Sequence, residues 1–265
     1  DFSQINLTVA GNALGQAFFS LSLGMGMLIT YGSYVDKHTN IINSAALITL
    51  TDVGVAFLSG LIIFPFIFSS GIESDGGPGL IFEVFPKIFE SLGNITGIIV
   101  GSTFFILLAF AAITSTISLL EVPVSFLVDE YKIHRKFSVW IIALIILLIG
   151  IPSSLSQGQN DFFTNFITYY GEEKSIDFMT FITDVSNDTL LPLGGFLITI
   201  YVSFVWKKSN LSREISKGNK SYKGSIMEKY INFSINYICP IILGTIFVLT
   251  FFNKFFGFSW DFIQI

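Results

Sequence analysis

Asp52 is the residue in this chain that most needs a chemical reason. It is the lone ionisable side chain in the apolar run 41–69. A carboxylate at membrane depth is costly, and it is normally held against a partner, a polar cavity or an ion. Asp52 therefore either bonds a neighbouring helix in its protonated form, with a purely structural role, or faces a cavity or an ion. A second group lies in the run 110–118, where Ala111, Thr114, Ser115 and Ser118 follow at three- and four-residue spacing. Hydroxyls and a backbone carbonyl on one helical face make an oxygen cage suited to a hard cation such as sodium. Small residues at the same spacing also make a face on which another helix packs closely, and local physics does not choose between the two. Glu121, two residues before Pro123, invites a blander reading: capping of backbone groups freed by the proline.

The third chemical feature is backbone rather than side chain. The stretch 15–34 is apolar, yet Gly24 and Gly26 interrupt it, with Ser20 and Ser22 just before. Two glycines so placed favour backbone freedom over helix continuity. Within hydrocarbon, unwound backbone is tolerated only where it is buried in protein or lines a polar cavity. A broken membrane helix is thus a candidate site for a small solute or ion. Other chemistry finds little support. His38 and His134 fall between apolar segments, no His/Cys cluster offers a transition-metal site, and no phosphate-binding loop is present. No pair of catalytic groups converges, so the expectation is a protein that is not an enzyme and carries no organic cofactor.

The elements that must position these residues follow from composition. The chain is 52% hydrophobic and 12% charged, with mean hydropathy +0.71, whereas soluble domains carry about 25% charged residues. An all-α, polytopic helical membrane protein is expected. Six segments are long and apolar enough to span a bilayer, near 11–34, 41–69, 95–127, 138–156, 182–206 and 230–253. The third reaches about 50 Å at the helical rise and must tilt or project. Between the second and third, Asp75-Gly-Gly-Pro-Gly predicts a tight turn, and the spaced aromatics after it predict a short re-entrant or surface helix near 78–92. Basic residues set the sidedness. Of the 14, all but Lys87, Lys174 and Lys254 follow the first, third or fifth span, which places those loops in the cytoplasm. The basic run 207–229 carries a single aromatic, Tyr222, and sits where topology alone demands positive charge, so nucleic acid is not an expected partner. Cys239 has no disulfide partner in the chain and reads as an inert apolar side chain. With neither an initiator Met nor a cleavable signal, the chain reads as the continuation of a longer protein.

Taken in order, the motifs carry a resemblance. Gln16-Ala-Phe-Phe-Ser-Leu-Ser-Leu-Gly-Met-Gly, then Tyr31-Gly-Ser-Tyr, resembles the broken sixth helix of the neurotransmitter:sodium symporters, a family that includes the bacterial leucine transporter. Gly77-Pro-Gly-Leu-Ile-Phe resembles that family's fourth extracellular loop. Phe110-Ala-Ala-Ile-Thr-Ser through Glu121-Val-Pro and Asp129-Glu resembles its eighth helix, and Leu191-Pro-Leu-Gly-Gly its tenth in bacterial members. The match runs from about residue 10 to residue 253. It implies the family's inverted-repeat transporter fold with a discontinuous helix, the six spans being helices six to eleven of a bacterial inner-membrane protein. The N-terminal helices one to five would then be partners supplied by the same protein, and the absence of an internal repeat follows, because only one half of the inverted pair is here.

The resemblance also implies roles. Phe19, Ser20, Ser22 and Met25 would line the substrate pocket from the broken helix, with Phe19 as its lid, and Ser115 and Leu119 would line it from the eighth. Ala111 through its carbonyl, Thr114 and Ser115 match the second of two sodium sites. Ser20 and Asp52 match the first, which is shared with the N-terminal helices. Many members carry a neutral asparagine at the Asp52 position, and chloride-dependent members use an anion site matched here by Gln16, Ser20, Asp52 and Ala56. Ala56 has no hydroxyl, while Asp52 brings a fixed negative charge, so Gln16 and Asp52 read as a charge-compensation site and transport as chloride-independent. Asp129 matches the cytoplasmic-gate acid. Asp184 and Asp188 lie near the expected extracellular-gate acid, although Asn187 takes the matching position. The expected activity is sodium-coupled amino acid uptake by alternating access, with Met25 and Leu119 favouring an apolar or aromatic side chain. The alternative is a non-transporting, receptor-like or accessory membrane subunit that keeps the fold.

Overall fold

The computed structural model describes residues 7–70, 80–171 and 174–257. The described chain is helical apart from loops and one isolated antiparallel bridge between Ile167 and Ile176. Among the described residues, five helices are long and apolar enough to cross a membrane: Ile41–Pro65, Asn94–Tyr131, Arg135–Leu155, Phe178–Gly218 and Ile226–Phe256. The first apolar stretch is divided into α1 (Leu7–Ser20) and α2 (Met27–Tyr34), neither of which is long enough to span alone. α3 (Ile41–Ser70) precedes a π-helical turn, Leu80–Val84, that runs into α4 (Phe85–Ser91). The Asp75-Gly-Gly-Pro-Gly turn lies outside the described residues. Then come α5 (Asn94–Tyr131), α6 (Arg135–Leu155) and the short α7 (Asp161–Thr164).

The next long helix is composite. α8 (Phe178–Thr183) continues through the π-helical Asp184–Leu190 into α9 (Leu191–Ile200) and the π-helical Tyr201–Lys207. α10 (Lys208–Gly218) follows Lys207, whose φ is positive at 71°. The last span joins α11 (Ile226–Phe233) through the π-helical Ser234–Ile238 to α12 (Cys239–Phe256). Helix therefore extends well past residue 206. In α10 the cause is amphipathic spacing, with Ser212 and Ile215 buried while Arg213 and Lys217 stay exposed.

The chain forms two compact units, Asp1–Ala45 with Leu120–Ile265, and Ala46–Leu119. In the second unit Val84, Phe85 and Ile88 make a small core with Ile63, Ile67, Leu80, Phe89 and Phe104 around it. Phe85 meets Phe104 edge-on at 5.0 Å. Gly97 lets α5 press against the carbonyl of Phe89, where no side chain fits. In the first unit α9 packs on α12, with Leu191, Pro192, Gly195 and Leu243 buried.

Candidate functional site

The break between α1 and α2 is a built structure. Leu23 N–H donates to the Phe18 carbonyl at 2.9 Å and Ser22 N–H to the Phe19 carbonyl at 3.0 Å. This crossed pair is the Schellman closure of a helix C-terminus, which requires a left-handed residue between its partners. Ser22 fills that position with φ 54°, where glycine is usual. Gly24 and Gly26 follow, each with φ 82°, and the Gly26 carbonyl opens α2 by accepting from both the N–H and the hydroxyl of Thr30. Among the described residues, the carbonyls of Leu21 through Met25 accept no backbone hydrogen bond. Five peptide acceptors are thereby released from helical pairing within an otherwise apolar stretch.

Glycines hold this break against α9. A Cβ on Gly24 would strike the Leu191 carbonyl, and one on Gly194 would come within 2.5 Å of the Gly24 carbonyl. A Cβ on Gly195 would meet the ring of Phe18 at 2.8 Å. The Leu191-Pro-Leu-Gly-Gly motif is thus a seat for unwound backbone. Around the break, Gln16, Phe19 and Ser20 are exposed, and Ser22 and Met25 are half-buried.

Asp52, Ala111, Thr114, Ser115 and Leu119 belong to the second unit. Asp52 is half-buried on α3. On α5, Ala111, Thr114, Ser115 and Leu119 share an exposed face at helical spacing. The Thr114 hydroxyl donates to the Ala111 carbonyl at 2.9 Å and to the Phe110 carbonyl at 3.1 Å. Two oxygens of the expected second sodium site thus lie side by side on one turn, and their neutral oxygen chemistry suits a hard monovalent cation.

Two polar clusters join residues that sequence reasoning had left apart. The first corrects the capping reading of Glu121. Its Oε1 accepts from the Tyr34 hydroxyl at 2.7 Å and its Oε2 from the Arg135 guanidinium at 2.6 Å. A carboxylate that is 14% exposed takes a cation and a phenol before a peptide N–H, because charge-assisted bonds are the stronger ones. The pairing links the end of α2, the last turns of α5 and the start of α6. Asp129, one helical stretch further on, is exposed, and its carboxylate has no ion-pair partner among the described residues.

The second cluster takes up both candidate extracellular-gate acids. The Lys254 ammonium lies 2.7 Å from Asp184 Oδ1 and 2.9 Å from Asp188 Oδ2. The Tyr169 hydroxyl donates to Asp184 Oδ2 at 3.1 Å. Burial of Tyr169, together with the negative charge of Asp184, pushes its phenol well above the usual tyrosine range. In the sequence alone Lys254 bears only on sidedness. The available signal was the four-residue interval of Asp184 and Asp188, which puts two carboxylates on one helix face and demands a cation. Below them Asp177 caps α8, accepting from Thr180 N–H at 3.0 Å, the Thr180 hydroxyl at 2.6 Å and the Ser156 hydroxyl at 3.1 Å. Burial alone would raise its pKa, but these bonds outweigh it and hold the carboxyl below the usual aspartate value.

Comparison with known proteins supplies a frame for this geometry. The chain is 34% identical over 236 residues to an uncharacterized sodium-dependent transporter of Bacillus subtilis (strain 168), covering 89% of this chain and 50% of that protein. To one of Haemophilus influenzae it is 36% identical over 251 residues, covering 94% and 51%. The chain thus spans about half the length of the curated relatives it matches. A crystal structure of MhsT in complex with L-phenylalanine superposes with TM-score 0.79 and 37% identity, over 92% of this chain and 52% of that one. The fold is accordingly that of a polytopic helical transporter with a discontinuous helix. The model of the sodium:neurotransmitter symporter family matches residues 2–256, and the chain belongs to that family.

Proposed function

We propose that this chain forms the C-terminal half of a sodium-coupled symporter that takes up an amino acid across the bacterial inner membrane by alternating access. The observation that carries the reading is the break at residues 21–26, whose freed carbonyls suit a substrate ammonium group. Phe19, Ser20, Ser22, Met25, Ser115 and Leu119 line the substrate pocket in this reading. Ala111, Thr114 and Ser115 hold one sodium, Ser20 and Asp52 contribute to another, and the N-terminal helices complete both the pocket and the first sodium site. The likeness to MhsT, solved with L-phenylalanine, supports an apolar or aromatic amino acid as substrate. Gln16 and Asp52 form the charge-compensation site, where the Asp52 carboxylate supplies the negative charge that chloride would otherwise bring. Asp129 is the cytoplasmic-gate acid.

The test is uptake by the full-length protein in proteoliposomes, screened across the twenty amino acids with an inward sodium gradient and with gluconate replacing chloride. Concentrative uptake of an apolar or aromatic amino acid that requires sodium and survives chloride removal is expected. Sodium-dependent binding without uptake would instead identify a receptor-like subunit. A strict chloride requirement would remove the role given to Asp52.

A further inference from the structure

We propose that a cleft at the cytoplasmic ends of the last two spans is a binding site for the phosphate of an anionic phospholipid headgroup. The cleft has a volume of about 440 Å³ and lies between Tyr201–Lys207 with the start of α10 on one side and Ser234–Ile238 on the other. Lys207, Lys208, Ser209 and Asn236 give it a donor-rich end, and Phe204 and Tyr237 give it an aromatic wall. Its walls are tied together, because the Ser203 hydroxyl donates to the Ile235 carbonyl at 3.0 Å.

Three observations converge on a lipid phosphate. First, neither Lys207 nor Lys208 forms an ion pair among the described residues, and no carboxylate lines the cleft. Lys207, Lys208, Ser209 and Asn236 therefore line one space that has no carboxylate among its lining residues. Second, the site stands where two apolar helices end on the side assigned to the cytoplasm by their basic loops. Anionic headgroups concentrate there, and basic pockets between helices on that side bind phosphate-bearing lipids. Third, Phe204 and Tyr237 line the cleft beside the lysines, so its donor-rich end continues into an aromatic wall. A soluble anion would have no use for that wall, whereas glycerol and the first acyl methylenes would lie along it. The positive-inside rule alone accounts for lysines in this loop, but not for their convergence on a cleft with an aromatic wall.

The probe is phosphatidylglycerol. Full-length protein is purified in detergent with the lipid, and retained lipid is counted by native mass spectrometry. The Lys207→Gln/Lys208→Gln pair should retain roughly 30-fold less phosphatidylglycerol than wild type. The Lys220→Gln/Lys223→Gln pair, with equal charge removed from the same loop, should retain it like wild type. Equal loss in both pairs would mean diffuse attraction and overturn the proposal. Displacement by millimolar glycerol phosphate or inorganic phosphate, with no lipid required, would make this a soluble-phosphate site and overturn the lipid assignment. A readout on wild type alone guards against a misfolded variant: photoreactive phosphatidylglycerol should crosslink to the peptide 203–209. Labelling confined to other segments would refute the site.

Discussion

Replacing Lys254 by methionine strands two carboxylates. Asp184 is 7% exposed at its side chain, Lys254 is 32% exposed and Asp188 is 43% exposed. The two halves of the cluster should therefore behave differently. Removing one partner of a buried pair costs about 3–5 kcal/mol, because an uncompensated charge remains inside, while an exposed pair contributes about 0–1 kcal/mol. Partial exposure of Lys254 puts Lys254→Met near the lower end, about 3 kcal/mol. Asp188→Asn removes only the exposed arm and should cost about 1 kcal/mol or less. The discriminating variant is Lys254→Met/Asp184→Asn. If the cost of Lys254→Met is mainly the orphaned Asp184 charge, neutralising that acid restores stability, and the double variant melts above Lys254→Met. The assay is thermal unfolding of the full-length protein in detergent at neutral pH and one scan rate. Two results would refute the reasoning: Asp188→Asn as damaging as Lys254→Met, or a double variant less stable than Lys254→Met.

Gly24→Ala should destabilise by about 2–4 kcal/mol, from left-handed strain of about 1–2 kcal/mol plus displacement of the Leu191 backbone. Gly93→Ala has a similar φ of 90° but open space around it, so melting of the two variants separates strain from packing. Asp177→Ala should cost about 1–2 kcal/mol at neutral pH through loss of the α8 cap. Because the folded carboxyl titrates below its ordinary value, this stabilisation is fully present above the unfolded aspartate pKa and fades as pH falls through the folded one. The wild-type advantage in melting should therefore shrink on acidification below about pH 4 and be flat from pH 6 to 8. Asp52→Asn should raise the sodium concentration needed for half-maximal uptake; an unchanged sodium dependence would assign Asp52 to helix packing.

Composition and glycine placement made the broken first stretch and the apolar helices readable from sequence, since each depends on local chemistry. Gly24 and Gly26 announce positive φ because their cost is lowest there. Ser22 does not announce itself. Its left-handed conformation at φ 54° follows from the Schellman closure around it, and nothing in a lone serine signals that. Long-range pairings were hidden for a different reason. Lys254 and Asp188 are 66 residues apart and Tyr34 and Glu121 are 87 apart, so only the packing of separate helices decides that they meet. Glu121 shows the consequence. Next to Pro123 a local reading favours a backbone cap, but the tertiary fold brings a phenol and a guanidinium, and the carboxylate takes those.

The break owes its definition to backbone rather than to side chains. The Schellman bonds end α1 at a fixed residue, and the contact between Gly24 and the Leu191–Gly195 backbone leaves no room for the chain to rewind into α9. A continuous helix here would return the carbonyls of Leu21 through Met25 to internal pairing, and their availability to a polar ligand would vanish. Backbone acceptors cannot be changed by substitution, so in the proposed reading they would serve any substrate amine, while Phe19, Met25 and Leu119 would set the preference among side chains. Substitutions should therefore divide into two classes. Changes at Gly24, Gly194 or Gly195 should abolish transport of every amino acid together, whereas changes at Met25 or Leu119 should reorder preference with transport retained. A Met25 variant that lost all substrates equally, in a folded protein, would break this division between backbone and side chain.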